Sequence, residues 1–246
     1  MRPVVNRFAD GDSVARAAAS ALLAKLQSLT LVQDAVHIAL TGGTVGIATL
    51  ARFAEIPEAK SFDYSKVHFW WGDERFVPAD SADRNAKQAH DAMFRHLDVP
   101  AANIHAFPAA GEGEDLDEAA NSFATVLASF AASDSAYPKF DVVLLGMGPD
   151  GHIASLFPGK PAPAAGVTVF AEHDSPKPPP ARLTFSYEVI NSADEIWFTV
   201  AGADKAEAVS VAFSDEPERL PVGRVRGTQK TVWFVDQTAG TTTWGC

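Results

Sequence analysis

The sequence predicts an α/β fold built on a mainly parallel sheet flanked by helices. Three observations predict it. Stretches of helical spacing alternate with short β-branched runs along the chain. One of these runs, Val142–Leu145, is apolar with no polar alternation, as a strand covered on both faces must be. Several runs also break abruptly into glycine and charged residues, and in open α/β sheets ligands bind outside the carboxyl ends of the strands.

The elements follow in order. Asp12 or Ser13 is placed to cap a helix whose Val14, Ala18, Leu22, Leu23 and Leu26 recur at helical spacing. VHIAL, residues 36–40, forms a strand ending in Thr41-Gly42-Gly43-Thr44-Val45-Gly46, and a helix runs on through Leu50 and Phe53 to Pro57. Glycines and hydroxyls between a strand and a helix N-terminus suit an anion such as phosphate, because unpaired N–H groups and the helix dipole point at it. Taken alone, two glycines need only make a tight turn. VHFWW, residues 67–71, is the next strand, with Trp70, Trp71 and His68 read as packing residues. It gives way to Gly72-Asp73-Glu74-Arg75-Phe76-Val77-Pro78. The three charges either neutralise one another in a solvated turn, or Arg75 takes a phosphate while Asp73 and Glu74 fix the loop or bind hydroxyls.

Arg84-Asn85 opens an Ala-rich helix to about Leu97, with Asn85 as its N-cap and His90 and His96 on its surface or in packing. An extended piece at 103–107 follows. The acidic stretch 111–118 leads into a helix over 119–130 and carries no assigned function. The proline-rich stretches 161–165 and 176–180 are surface loops, one of them able to close over a site. Arg182 opens RLTF. A strand over 195–200 ends at Ala201-Gly202-Ala203-Asp204-Lys205, followed by a helix over 206–213, a last strand over 231–235 and a polar tail from Gly240 that holds Trp244 and Cys246.

The richest stretch is FDVVLLGMGPDGHIASLFPG, residues 140–159. Gly146, Gly148 and Gly151 allow a sharp turn and a close approach to a ligand, and His152 is delivered directly after it. A histidine there is a candidate general base or merely a residue that braces its own loop. Residues 146–151 also spell G-x-G-x-x-G, with Glu172 about 20 residues on, as a dinucleotide site would have it. That assignment fails because a crossover helix must start at the third glycine, whereas Pro158, Gly159, Pro161 and Pro163 break the segment.

Composition narrows the function. At 246 residues and 47% hydrophobic, the chain supports one substantial core, and no linker or repeat divides it, so a single domain over 1–246 is expected. A formal charge of −11 argues against nucleic acid or an anionic membrane as partner, and requires a local cluster of cations for any anionic substrate. Individually Arg182 and Lys205 read as surface charges; as a set with Arg75 they suggest such an electropositive pocket. No apolar signal core or membrane-length run is present, so a cytoplasmic location is expected. One cysteine excludes a disulfide framework and a Cys-based zinc site; there is no H-E-x-x-H and no G-x-S-x-G.

Together, Thr41-Gly42-Gly43-Thr44, DERFVP from Asp73, GMGPDGHIASLFPG from Gly146, Arg182 of RLTF and AGADKAEAV from Ala201 resemble the 6-phosphogluconolactonases, the lactonase branch of the glucosamine/galactosamine-6-phosphate isomerase family. The match spans nearly the whole chain in the same order. Val45-Gly46 departs from it, since members often continue the glycine turn with a proline. The resemblance implies a Rossmann-like mixed α/β sheet of the kind shared with sugar-phosphate deaminases and isomerases. It also implies hydrolysis of 6-phosphoglucono-δ-lactone to 6-phosphogluconate, the second step of the oxidative pentose phosphate pathway. Phosphate is then expected near Gly42, Gly43 and Thr44 with Arg75, Arg182 and Lys205, and Asp73, Glu74 and Gly151 are expected at the substrate. His152 would act as base, with Asp150 or a backbone carbonyl holding its tautomer. The oxyanion donors stay open between the glycine-turn N–H groups and a cationic side chain. The substrate partner is a phosphorylated sugar lactone, the chain is expected to be a monomer, and this chemistry calls for no metal or cofactor. A glucosamine-6-phosphate deaminase would carry Asn-Glu-Pro where this chain has Ser155-Leu156-Phe157-Pro158, and would lack the arginine of DERxVP. A non-catalytic sugar-phosphate sensor would have no need of His152 beside the complete set of phosphate ligands.

Overall fold

The computed structural model describes residues 2–240; the expected tail with Trp244 and Cys246 lies outside the described residues. Strands β1 (Val4–Phe8), β2 (Val36–Leu40), β3 (Val67–Trp71), β5 (Val142–Leu145), β8 (Glu195–Val200) and β9 (Lys230–Asp236) form a sheet of order β1-β9-β8-β5-β2-β3. Every pairing in it is parallel. A second sheet, β4 (Asp73–Arg75), β7 (Arg182–Phe185) and β6 (Val169–Glu172), is antiparallel, so the mixed character expected of the fold comes from two sheets. The helices are α1 (Gly11–Thr30), α2 (Gly43–Glu55), α3 (Pro57–Lys60), α4 (Asn85–Ala92), α5 (Leu116–Ser129), α6 (Tyr187–Asn191) and α7 (Ala206–Ala212).

Strands β2 and β5 are buried along their whole length, which is why neither sequence alternates polar with apolar residues. They are also where the sheet changes direction. The chain goes from β2 outward to β3, then returns to β5 on the other side of β2 and continues through β8 to β9. The carboxyl ends of β2 and β5 therefore flank the crevice that open α/β sheets use for ligands. Backbone at the two ends is joined there by Gly146 N donating to Thr41 Oγ1 at 3.2 Å.

Several local expectations change. The α1 cap is Asp10, whose carboxylate accepts from Ser13 N, while Asp12 pairs with Arg16 and Arg52. Helix α4 stops at Ala92 and passes into a short 3-10 turn at Phe94–His96, and its N-cap is Arg84; Asn85 is already helical and turns to other work. Helix α5 starts inside the acidic stretch, because Asp115 and Glu118 form a reciprocal capping box. Glu172 closes strand β6. Strand β1 and helix α6 had no periodic signal: β1 is a half-exposed edge strand and α6 has five residues.

The aromatic side of the sheet holds a stack of histidines. His37, His68 and His105 lie with ring centroids 5.0 and 5.3 Å apart in succession, and Trp70 stacks on His105 at 4.0 Å. Trp70 Nε1 donates to His37 Nδ1 at 3.1 Å, and His68 Nδ1 meets His105 Nε2 at 3.0 Å. Burial pushes His37 and His105 down from 6.5 to about 4, and lowers His68 as well. An unfolded chain takes up these protons near 6.5 while the folded one refuses them until about 4. The stabilisation is thus full above 6.5 and is lost as pH falls toward 4. Urea denaturation should show stability falling between pH 6.5 and about 5, above the carboxylate range, and His37→Gln should flatten that slope.

Candidate active site

The crevice at the strand ends is a cleft of about 770 Å³. It is lined by the Thr41-Gly42-Gly43-Thr44 turn, by Asp73, Arg75 and Asn85, by Gly146 to Pro149 with His152, by Lys177 and Arg182, and by Gly202, Asp204 and Lys205. Four strand ends far apart in sequence therefore deliver one pocket.

One wall is the amino end of α2. Gly43 has φ +78°, the left-handed region that a side chain would disfavour, and Gly42 caps the helix with no side-chain bond. The first N–H groups of a 13-residue helix are thereby turned toward the cleft without a side-chain partner. Val45-Gly46 continues the helix, and Gly46 sits tight on Thr41, where a Cβ would come within 2.8 Å of its methyl.

Cations face this wall. Arg75 donates Nη1 to Asp83 O at 2.7 Å and keeps Nε buried without a partner. Lys205 pairs with Asp204 at 2.9 Å. Arg182 lines the cleft, but much of its guanidinium is engaged: Nε donates to Pro179 O at 2.7 Å, and Nη2 to Lys177 O and Pro178 O at 3.1 Å each. It holds a loop as well as facing the pocket.

The two neighbouring carboxylates take different parts. Asp73 lines the cleft and accepts from Ser155 Oγ at 2.7 Å, tying the 153–157 segment to β4. Glu74 does not reach the cleft. It is fully buried and accepts from the N–H groups of Arg75, Asn85 and Ala86 at 2.7–2.8 Å, so it braces the start of α4. Burial raises its carboxyl against those three bonds. Gly151 also stays outside the lining; its φ of +77° serves the turn, and a Cβ there would come within 2.7 Å of the Leu220 side chain.

His152 lines the cleft with Asp150 behind it. Asp150 Oδ1 lies 2.5 Å from His152 Nδ1, which assigns the proton to Nδ1 and leaves Nε2 as the basic nitrogen. The turn is closed by Gly151 N donating to Gly148 O at 3.0 Å and by Gly148 N donating to His152 O at 2.9 Å. Burial lowers the imidazole below 6.5, against the Asp150 hydrogen bond and charge, which raise it. Burial would raise the Asp150 carboxyl, but the His152 bond, the His152 charge and the Lys177 ammonium outweigh it and hold it below its ordinary value. The pair is a neutral imidazole oriented by an ionised carboxylate, which is what a general base requires.

Two residues of the cleft escaped sequence reasoning. Asn85 is buried; its Nδ2 donates to Asp73 O at 2.9 Å, which aims Oδ1 at Gly42 without any hydrogen-bond donor. A Cβ on Gly42 would lie 2.0 Å from that oxygen, so the glycine makes room for the amide. Lys177 is the other; its Nζ is 3.2 Å from His152 Nδ1 and 3.5 Å from Asp150 Oδ1. Its only sequence signal was its place among prolines.

Fold and site together define an α/β protein with a cleft at its strand ends, lined by glycine turns, cations and a histidine paired with an aspartate. The family model for glucosamine-6-phosphate isomerases/6-phosphogluconolactonase matches residues 9–233, and the chain belongs to that family. The chain is 41% identical to a 6-phosphogluconolactonase of Mycobacterium tuberculosis, over 97% of this chain and 98% of that one. It is 38% identical to the 6-phosphogluconolactonase of Streptomyces coelicolor, over 96% and 92%. The crystal structure of the 6-phosphogluconolactonase of Trypanosoma brucei superposes with a TM-score of 0.84 at 28% identity, covering 98% of both chains.

Proposed function

We propose that this chain hydrolyses 6-phosphoglucono-δ-lactone to 6-phosphogluconate, the second step of the oxidative pentose phosphate pathway. The observation that carries the chemistry is the His152–Asp150 pair, 2.5 Å apart, on the same cleft as Arg75, Arg182, Lys205 and the glycine turn. The family and the identity of its lactonase relatives support the substrate.

The mechanism follows from the geometry. The phosphate is held by the α2 N–H groups at Gly42, Gly43 and Thr44 with the cleft cations, which places the lactone carbonyl within reach of His152. A lactone carries an activated acyl carbon, so a water molecule deprotonated by His152 Nε2 attacks C1 without a covalent enzyme intermediate. The imidazolium formed is compensated by Asp150. Collapse of the tetrahedral intermediate breaks the C1–O5 bond, and the proton on His152 passes to the departing ring oxygen. One water is consumed, and the carboxylic acid formed releases its remaining proton to solvent to give the carboxylate. Asn85, Asp73 and Glu74 keep the strand end, the Gly42 turn and α4 in place. The chain acts as a single domain, a monomer in the cytoplasm, and the mechanism uses no metal or cofactor. Among the described residues no helix is long and apolar enough to cross a membrane.

Arg75→Ala and Lys205→Ala should each raise KM for the phosphorylated lactone by about 10-fold or more, since hydrogen bonds to charged groups contribute ~1.5–3 kcal/mol. An unphosphorylated δ-lactone should lose much less. Equal losses on both substrates would remove these residues from phosphate binding. The activity itself is tested by following lactone generated in situ, with spontaneous hydrolysis subtracted; no acceleration by the wild type would refute it.

A further inference from the structure

The loop that carries Lys177 is held as firmly as a secondary-structure element. Ser175 N donates to Pro180 O at 3.0 Å and closes it. Inside, Ser175 Oγ donates to Lys177 O at 3.0 Å and accepts from Lys177 N at 3.2 Å. Arg182, itself buried, donates to the carbonyls of Lys177, Pro178 and Pro179 from the opposite side. Pro176 and Pro178 flank the lysine and fix the backbone on either side of it. The expected surface loop is thus a clamp, and the one side chain it sends to the dyad is Lys177.

That ammonium touches the proton-carrying side of the base. It lies 3.2 Å from His152 Nδ1 and 3.5 Å from the same Asp150 oxygen that accepts the Nδ1 proton. The charged groups that act on His152 are Asp150 from its own turn, Lys177 from the clamp and Asp73 from β4. Two carboxylates alone would favour the imidazolium, and a histidine kept protonated cannot take a proton from water. A cation 3.2 Å from the ring opposes that charge, moderated by the solvent exposure of the lysine.

We propose that Lys177 is a positioning residue for the base: its ammonium, brought to the Nδ1 side of the imidazole by the clamped loop, adds to burial in keeping His152 neutral and so shifts the acid limit of turnover. The inference rests on the lactonase function in which His152 is the base. Direct burial of the imidazole pushes in the same direction, and Lys177 adds to it.

The test compares wild type, Lys177→Met and Lys177→Arg in two measurements. One is an NMR titration of labelled histidine, with His152 assigned by difference against His152→Gln. The other is kcat/KM for the phosphorylated lactone as a function of pH. In Lys177→Met both the His152 titration and the acid limb of kcat/KM should move upward together, by about half to one pH unit. Lys177→Arg should keep both near the wild-type position. A His152 titration in Lys177→Met that coincides with the wild type would overturn the proposal; if KM alone rose, Lys177 would be reassigned to the phosphate. If wild type fails to accelerate hydrolysis, the lactonase function falls on that result, while the titration still decides whether Lys177 governs His152.

Discussion

His152→Ala is expected to lower kcat by about 10²–10⁴-fold, the usual span for loss of a positioned general base. Binding of 6-phosphogluconate should stay within a few-fold of wild type, because the glycine turn and the cleft cations proposed to hold the phosphate do not depend on the imidazole. His152 lies at the cleft surface of a turn closed by its own backbone bonds, so the variant should also fold normally. Single-turnover kinetics with a parallel product-binding measurement check both halves. Turnover within a factor of a few of wild type would mean that another group activates the water.

Gly148→Ala should damage turnover nearly as much without touching a catalytic side chain. A Cβ at position 148 would lie 2.0 Å from Cε1 and Nδ1 of His152 and 2.4 Å from Asp150 Oδ1. The backbone at Gly148 lies outside the left-handed region, so the penalty is steric. The methyl group and the hydrogen-bonded pair cannot occupy the same space. The side chains can yield only by breaking the 2.5 Å contact that selects the reactive tautomer. The expected outcome is a loss of about 10²-fold or more in kcat, with product binding preserved. A crystal structure or the His152 NMR titration of the variant would show the displaced ring. Full activity would mean that the turn relaxes around the methyl and that the observed pair is not needed for catalysis.

The difference between these two variants marks what is legible in a linear sequence. His152 could be singled out because three glycines, a proline and an aspartate surround it at the end of an apolar run, and local chemistry of that kind is written in adjacent residues. The buried strands β2, β3 and β5 could be located for the same reason: continuous apolar residues bounded by turns have few alternative structures. The candidacy of Gly42, Gly43 and Thr44 for phosphate, and of Arg75 and Lys205 with them, followed from strand ends that carry polar residues where packing has no use for them. The Asp150 contact was one of two alternatives in the sequence, and the structure selects the carboxylate.

Other parts carried no local signal. Glu74 sits between two cleft residues in sequence and outside the cleft in space, because side chains alternate along the short strand β4 and this one points at the start of α4. Asn85 was assigned to a cap. Its role beside Gly42 exists only because α4 lies against the turn after β2, some 43 residues earlier in the chain. Arg182 was taken as a cation for substrate, and the structure adds three loop carbonyls to its partners.

From the sequence alone come the α/β class, the order of most elements, the histidine turn and the glycine-rich turn after β2, since each depends on residues adjacent in the chain or on their period. The tertiary structure alone decides the six-strand order with its crevice between β2 and β5, the separate antiparallel sheet, the orphan acceptor of Asn85 and the clamp that brings Lys177 to His152. These depend on contacts between distant segments, whose pairing is settled by packing a common core and by satisfying buried polar groups, and neither quantity is readable one residue at a time.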